Sequence, residues 1–144
     1  MQRGIPQAPG VAAARHRSVQ RPLLTICAVV EGLAGLAFIL APGRSSALLL
    51  GRPAGPETSM IGRVTGVALA ALGVSCWGAI ADNGGAARSG TLRAITLYNA
   101  GAGLCLVLFG ATGKARGPVV WGAGVLHLGL AGAFAASGTA AVRP

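Results

Sequence analysis

The sequence predicts an all-α integral membrane protein, a four-helix bundle of up-down topology. Three observations predict it. Four apolar runs of 19 to 22 residues follow one another, each close to the ~20 residues a helix needs to cross a bilayer core. Charged residues make up only 10% of the chain, against about 25% in a soluble domain, while hydrophobic residues make up 53%. The basic residues gather at the ends of the runs, as Arg and Lys do at membrane edges. Open strands cannot satisfy their backbone in hydrocarbon, so the runs read as helices.

Residues 1–21 are expected as a disordered basic cytoplasmic tail, with Arg3, Arg15, Arg17 and Arg21 set among Pro, Gly, Gln and Ala. A basic tail before an apolar run also suits a signal peptide. Leu23–Ala41 is long for that role, and Glu31 sits at its centre. The transmembrane domain is expected over 22–137, with spans at about 23–41, 60–81, 92–111 and 118–136, and a short C-terminal tail over 138–144. "APGRSS" (Ala41–Ser46) ends the first span. "SSALLLG" (Ser45–Gly51) is apolar but too short to cross, and reads as an interfacial turn or half-helix. Thr58 or Ser59 is placed to cap the second span and Thr91 the third. "DNGG" (Asp82–Gly85) stops the second span, and Pro118 suits the first turn of the fourth.

Glu31 is the anomaly of the first run. Ten strongly apolar residues there supply roughly −3 to −6 kcal/mol of insertion energy, against about +2.5 to +3.5 for a central acidic residue. The apolar side wins and the helix inserts. A count of Lys and Arg places seven on the side of the N-terminus and five on the other, so both termini are expected in the cytoplasm. Usage rich in Arg, Ala and Gly points to a bacterial inner membrane.

Helix rise sets the depth of the polar residues. Glu31 lies about 12 Å and His127 about 13.5 Å from the cytoplasmic ends of their spans, nearly level with each other. Asn99 lies somewhat closer to the cytoplasm, with Tyr98 beside it in sequence. All three share their helix faces with small residues: Glu31 with Ala34 and Gly35, Asn99 with Ala102 and Gly103, His127 with Ala123 and Gly124. Small faces pack inward and intramembrane ionisable groups face the bundle interior. An intramembrane polar cluster of Glu31, Asn99 and His127 is therefore expected, with Glu31 close to His127. Two readings of it stand side by side. One is a hydrogen-bonded knot that fixes register. The other is a protonatable site for a proton relay, a cation, or a small ligand such as a quinone.

Arg63 and Tyr98 are possible accessories. Arg63 lies one turn inside its span and either snorkels to the headgroups or partners Glu31 or the first loop's carbonyls. Trp77 and Trp121 fit an interfacial aromatic belt. Gly62-x-x-x-Gly66 is a spacing that lets helices pack closely. Cys27, Cys76 and Cys105 fall in separate runs and read as buried free thiols. No residues read as catalytic, and none has metal-ligand spacing. The net charge of +9 does not indicate nucleic acid, because the cations form no patch and aromatics are only 4%.

Glu31-Gly32, Pro42, Leu48-Leu49-Leu50-Gly51, Arg63-x-x-Gly66, Leu72-Gly73, Cys76-Trp77, Tyr98-Asn99, Trp121 and His127 together resemble small four-span bacterial membrane proteins of DoxX-like type, over about residues 22–136. That resemblance implies a possible link to quinone redox chemistry. The small multidrug resistance exporters are similar in architecture alone, with four short helices and a glutamate in the first. The expected function is a non-enzymatic or accessory membrane subunit with a buried polar cluster. The alternatives are a proton-coupled small-solute carrier centred on Glu31, and a quinone- or redox-associated subunit. The expected partners are the lipid bilayer and either a second copy or a membrane partner subunit, and no residue pattern names a cofactor.

Overall fold

The computed structural model describes the backbone of residues 9–82 and 85–139 and the side chains of 18–82 and 85–137. Those residues are all-helical: α1 (Pro9–Leu40), α2 (Pro42–Leu50), α3 (Pro56–Ala81), α4 (Ala86–Ala111) and α5 (Val120–Thr139). Four of the five are long and apolar enough to cross a membrane, over Ser18–Leu40, Pro56–Ala81, Ala86–Ala111 and Val120–Ser137. This is the pattern of a multi-pass membrane protein.

The first correction concerns the N-terminus. Residues 9–21, expected as disordered, form the first turns of α1, while 1–8 lie outside the described residues. Pro22 sits inside this helix and removes one backbone bond at the start of the apolar run. The polar turn before it is tied to the bundle: the Gln20 amide donates to the Ser137 carbonyl at 3.5 Å and accepts from Arg88 at 3.3 Å. At the C-terminus α5 continues through Thr139, and 140–144 lie outside the described residues.

The helix starts also differ. α3 begins at Pro56 after Gly55, and α4 at Ala86 after Gly85, so Thr58, Ser59 and Thr91 cap nothing. The α4 start is held by Asp82, whose carboxylate accepts from the Gly85 and Arg88 amides at 2.8 and 3.0 Å. A carboxylate there satisfies orphan donors and complements the helix dipole. The Arg88 side chain is buried and donates back to the Ala79 carbonyl at 3.0 Å, closing the α3–α4 turn. Pro118 precedes α5 rather than lying in its first turn.

α1 and α3 run antiparallel in backbone contact. A Cβ on Gly35 would lie 2.6 Å from the Ala70 nitrogen, and one on Gly66 2.7 Å from the Gly35 carbonyl oxygen. Gly73 meets Gly32 and Ala28 in the same way. α4 and α5 form a second antiparallel pair, with Gly103 against Leu128 and Gly124 against Val107. Lipid supplies no hydrophobic drive between helices, so such close approach is what joins them. The two pairs complete a ring in which α3 touches α4 and α5 touches α1. Near the end that carries the termini, Leu24, Cys27, Cys76, Ile95, Leu130 and Phe134 fill the centre as the apolar core.

The distal end is built differently. Ala41 leaves helical geometry because it precedes Pro42, and the chain turns there into α2. Pro42 and Ser46 of α2 rest on Gly62 of α3. The last four carbonyls of α2 would otherwise be orphans. Gly51, in the left-handed region at φ 72, donates to Ala47 at 2.8 Å. The α4–α5 turn supplies the rest: the amides of Val119, Gly117 and Arg116 donate to Leu48, Leu49 and Leu50 at 3.4, 3.1 and 3.2 Å. Gly117 has no room for a side chain, since its Cβ would overlap the Leu48 carbonyl. α2 is thus pinned to α3 at one end and to the α4–α5 turn at the other.

Gly35→Ala is expected to destabilise the protein by about 1–3 kcal/mol through backbone overlap. Gly32→Ala, whose Cβ meets nothing within 4 Å, is expected to stay within about 0.5 kcal/mol of wild type. Thermal unfolding in detergent checks the pair, and equal losses would mean that α1 and α3 are not in backbone contact.

Candidate functional site

Glu31, Asn99 and His127 meet at mid-height in the bundle, brought by α1, α4 and α5. Glu31 is 1% exposed and Asn99 0%. The Asn99 amide nitrogen donates to the Ile95 carbonyl at 2.8 Å and points at the Cys27 sulfur at 4.0 Å, which fixes the orientation of its amide. Its oxygen therefore faces His127 Nδ1, at 2.8 Å. An amide oxygen only accepts, so Nδ1 carries the hydrogen and donates. In the neutral ring this leaves Nε2 with a lone pair and no hydrogen-bond partner among the described residues.

The same Nδ1 lies 3.9 Å from Glu31 Oε1, beyond hydrogen-bonding distance. Oε1 is buried and without a hydrogen-bond partner among the described residues. The Tyr98 ring stands edge-on to His127, with centroids 5.6 Å apart, and lines the same cavity as the Glu31 carboxylate. One residue thus locks the histidine tautomer, and three more present an Nε2, a phenol and a carboxyl oxygen at one place.

Directly above this cluster, toward α2, lies a cavity of about 500 Å³. Its floor is Glu31, Tyr98 and His127. Its walls are mostly apolar: Ala34 and Phe38 of α1, Leu69 of α3, Leu106 of α4 and Ala123 of α5. Ser45, Leu48 and Leu49 of α2 form its roof. Glu31 to Phe38 is seven residues, so the cavity runs about 10 Å along the helix axis. A mainly apolar pocket with a few convergent polar groups is the usual form of a small-molecule site.

The other sequence-predicted residues fall as follows. Arg63 lies exposed on α3 and makes no hydrogen bond or ion pair among the described residues, so it does not partner Glu31. Trp77 and Trp121 are exposed near opposite ends of the bundle. Cys27 and Cys76 are buried, but Cys105, expected as buried, is exposed and lines the cavity. Among the described residues no three His, Cys, Asp or Glu side chains are grouped to hold a metal. Sequence reasoning missed the roof of α2 and the cavity residues Thr65 and Cys105. The only available signal was the apolar "SSALLLG", which needed something to cover. Comparison with known protein families, curated proteins and solved structures returns no match for this chain.

A double-mutant cycle of Asn99→Ala and His127→Ala, followed by unfolding in detergent, is expected to show a coupling of about 0.6–1.7 kcal/mol. A coupling near zero would mean that Asn99 does not set the histidine.

Proposed function

We propose that this chain is a non-enzymatic binding or accessory protein of a bacterial inner membrane that holds one small, mostly apolar molecule by a hydrogen-bonding head. The observation that carries the reading is the cavity itself. Its floor offers a tautomer-fixed imidazole, a phenol and a carboxyl oxygen with no hydrogen-bond partner among the described residues, and its walls are mostly hydrocarbon. A head that both accepts and donates hydrogen bonds, on an apolar body, complements that arrangement. Quinones and quinols have this chemistry, and the DoxX-like resemblance of the sequence is in keeping with it. In this reading both termini are cytoplasmic, and a second copy or partner subunit packs against the lipid-facing sides.

A proton-coupled carrier is the second reading, favoured by one feature. The cavity lies between two tightly packed helix pairs that touch each other far less closely. Glu31 faces the interior of its own bundle, so such a carrier works within one chain and not by sharing the glutamate across a dimer.

Cys105 provides the test, since it lines the cavity while Cys27 and Cys76 are buried. A fully substituted benzoquinone with a decyl tail, which cannot alkylate thiols, is expected to slow maleimide labelling of Cys105 in detergent. Ala123→Phe, which fills the cavity, is expected to abolish that protection. Unchanged labelling at saturating quinone would sink the quinone assignment, and proton release on adding a cationic solute would favour the carrier.

A further inference from the structure

A second cleft, of about 480 Å³, lies at the distal end between the start of the α2–α3 connector and the α4–α5 turn. It shares no lining residue with the cavity above the polar cluster. Arg52, Lys114 and Arg116 line it, with Leu50 and Phe109 as its apolar wall. The backbone on both sides is fixed, because the Arg116 and Gly117 amides bond to Leu50 and Leu49. Two of the three side chains also have partners on the α4–α5 side. Arg116 Nε donates to the Gly113 carbonyl at 3.1 Å, and the Lys114 ammonium lies 5.8 Å from the centre of the Phe109 ring.

These three cations have no acidic partner in the cleft. The chain holds only three acidic residues. Glu31 is in the polar cluster and Asp82 is at the opposite end, and neither these nor Glu57 lines the cleft. Among the described residues no salt bridge involves Arg52, Lys114 or Arg116. Three like charges held close together repel one another unless an anion joins them. Arg and Lys together suit a phosphate: the guanidinium bonds two oxygens and the ammonium adds a point charge.

We propose that this cleft binds the phosphate of an anionic membrane phospholipid, with the lipid's acyl chain lying along Leu50 and Phe109. The apolar wall favours a lipid over a free anion. Phe109 is half exposed and lies in the last turns of a membrane-spanning helix, and Leu108 beside it is exposed as well. A soluble phosphate would use the cations and leave that wall bare. The site is independent of the ligand assigned to the central cavity.

Native mass spectrometry of the full chain in detergent tests this, with dioleoyl phosphatidylglycerol and dioleoyl phosphatidylcholine as probes. Phosphatidylglycerol is expected to bind about tenfold more tightly, and the preference is expected to weaken with added salt. Lys114→Gln with Arg116→Gln is expected to bring phosphatidylglycerol down to the level of phosphatidylcholine. Arg44→Gln, exposed at the same end but outside the cleft, is expected to leave the preference intact. Where the double variant melts below wild type, Arg52→Gln with Lys114→Gln replaces it, since neither side chain makes a hydrogen bond among the described residues. Equal binding of the two lipids, or an unchanged preference in a folded variant, would overturn the proposal. Displacement of phosphatidylglycerol by millimolar inorganic phosphate would assign the cleft to a soluble anion and overturn the lipid assignment.

Discussion

Inside a bilayer a polar side chain has no water to turn to, so its partners must come from the protein or from something the protein holds. Glu31 brings that constraint into the middle of α1, and the bundle divides around it. On the side of the termini the space between helices is filled by Leu24, Ile95, Leu130 and Phe134. On the distal side it is left open. The polar cluster is the ceiling of the core and the floor of the cavity. Asn99 spends both ends of its amide inside the fold, on Ile95 and His127. Glu31 does not, and keeps one buried oxygen without a hydrogen-bond partner among the described residues. An unsatisfied buried oxygen costs about 1–3 kcal/mol, which supports the ligand reading over a knot that serves only to fix register.

The glycines explain how a cavity survives in so small a bundle. Gly35, Gly66 and Gly73 let α1 and α3 meet backbone to backbone, and Gly103 and Gly124 do similar work for α4 and α5. Each pair is cohesive by itself, so the space between the pairs need not be packed. α2 then bridges that space. It rests on α3 through Pro42 and Ser46 and on the α4–α5 turn through three backbone hydrogen bonds. Adjacent residues at the end of this one short helix serve both sites, Leu48 and Leu49 in the roof of the cavity and Leu50 in the wall of the basic cleft.

The four spans were legible because hydropathy over ~20 residues is a strong signal that packing does not override. The inward faces of Glu31, Asn99 and His127 were legible for a related reason: small residues at helical spacing mark the side that approaches a neighbour. The helix ends were not. Residues 9–21 look like a tail by composition, yet the last of them are ordered by Gln20, which reaches Arg88 and Ser137 far away in sequence. Hydroxyls at Thr58 and Thr91 suit helix caps by spacing, whereas α3 starts without a side-chain cap and the α4 start is held by Asp82, beyond a glycine pair and outside the apolar run. Among 24 glycines the ones in backbone contact carry no mark of their own. A cavity has no sequence signature at all, because it is the absence of side chains contributed by five separate helices.

The central claim is that Glu31 is held ready for a ligand rather than used to hold the fold. The most direct measurement compares Glu31→Gln with wild type in one preparation, reading the melting temperature in detergent and the quinone protection of Cys105. Gln keeps the shape of the side chain but not its acid chemistry. The account predicts a melting temperature within about 4 °C of wild type, a difference of less than about 1 kcal/mol, together with loss of protection. A variant that melts far below wild type while Cys105 protection persists would contradict it, and would make Glu31 a structural tie between α1 and His127.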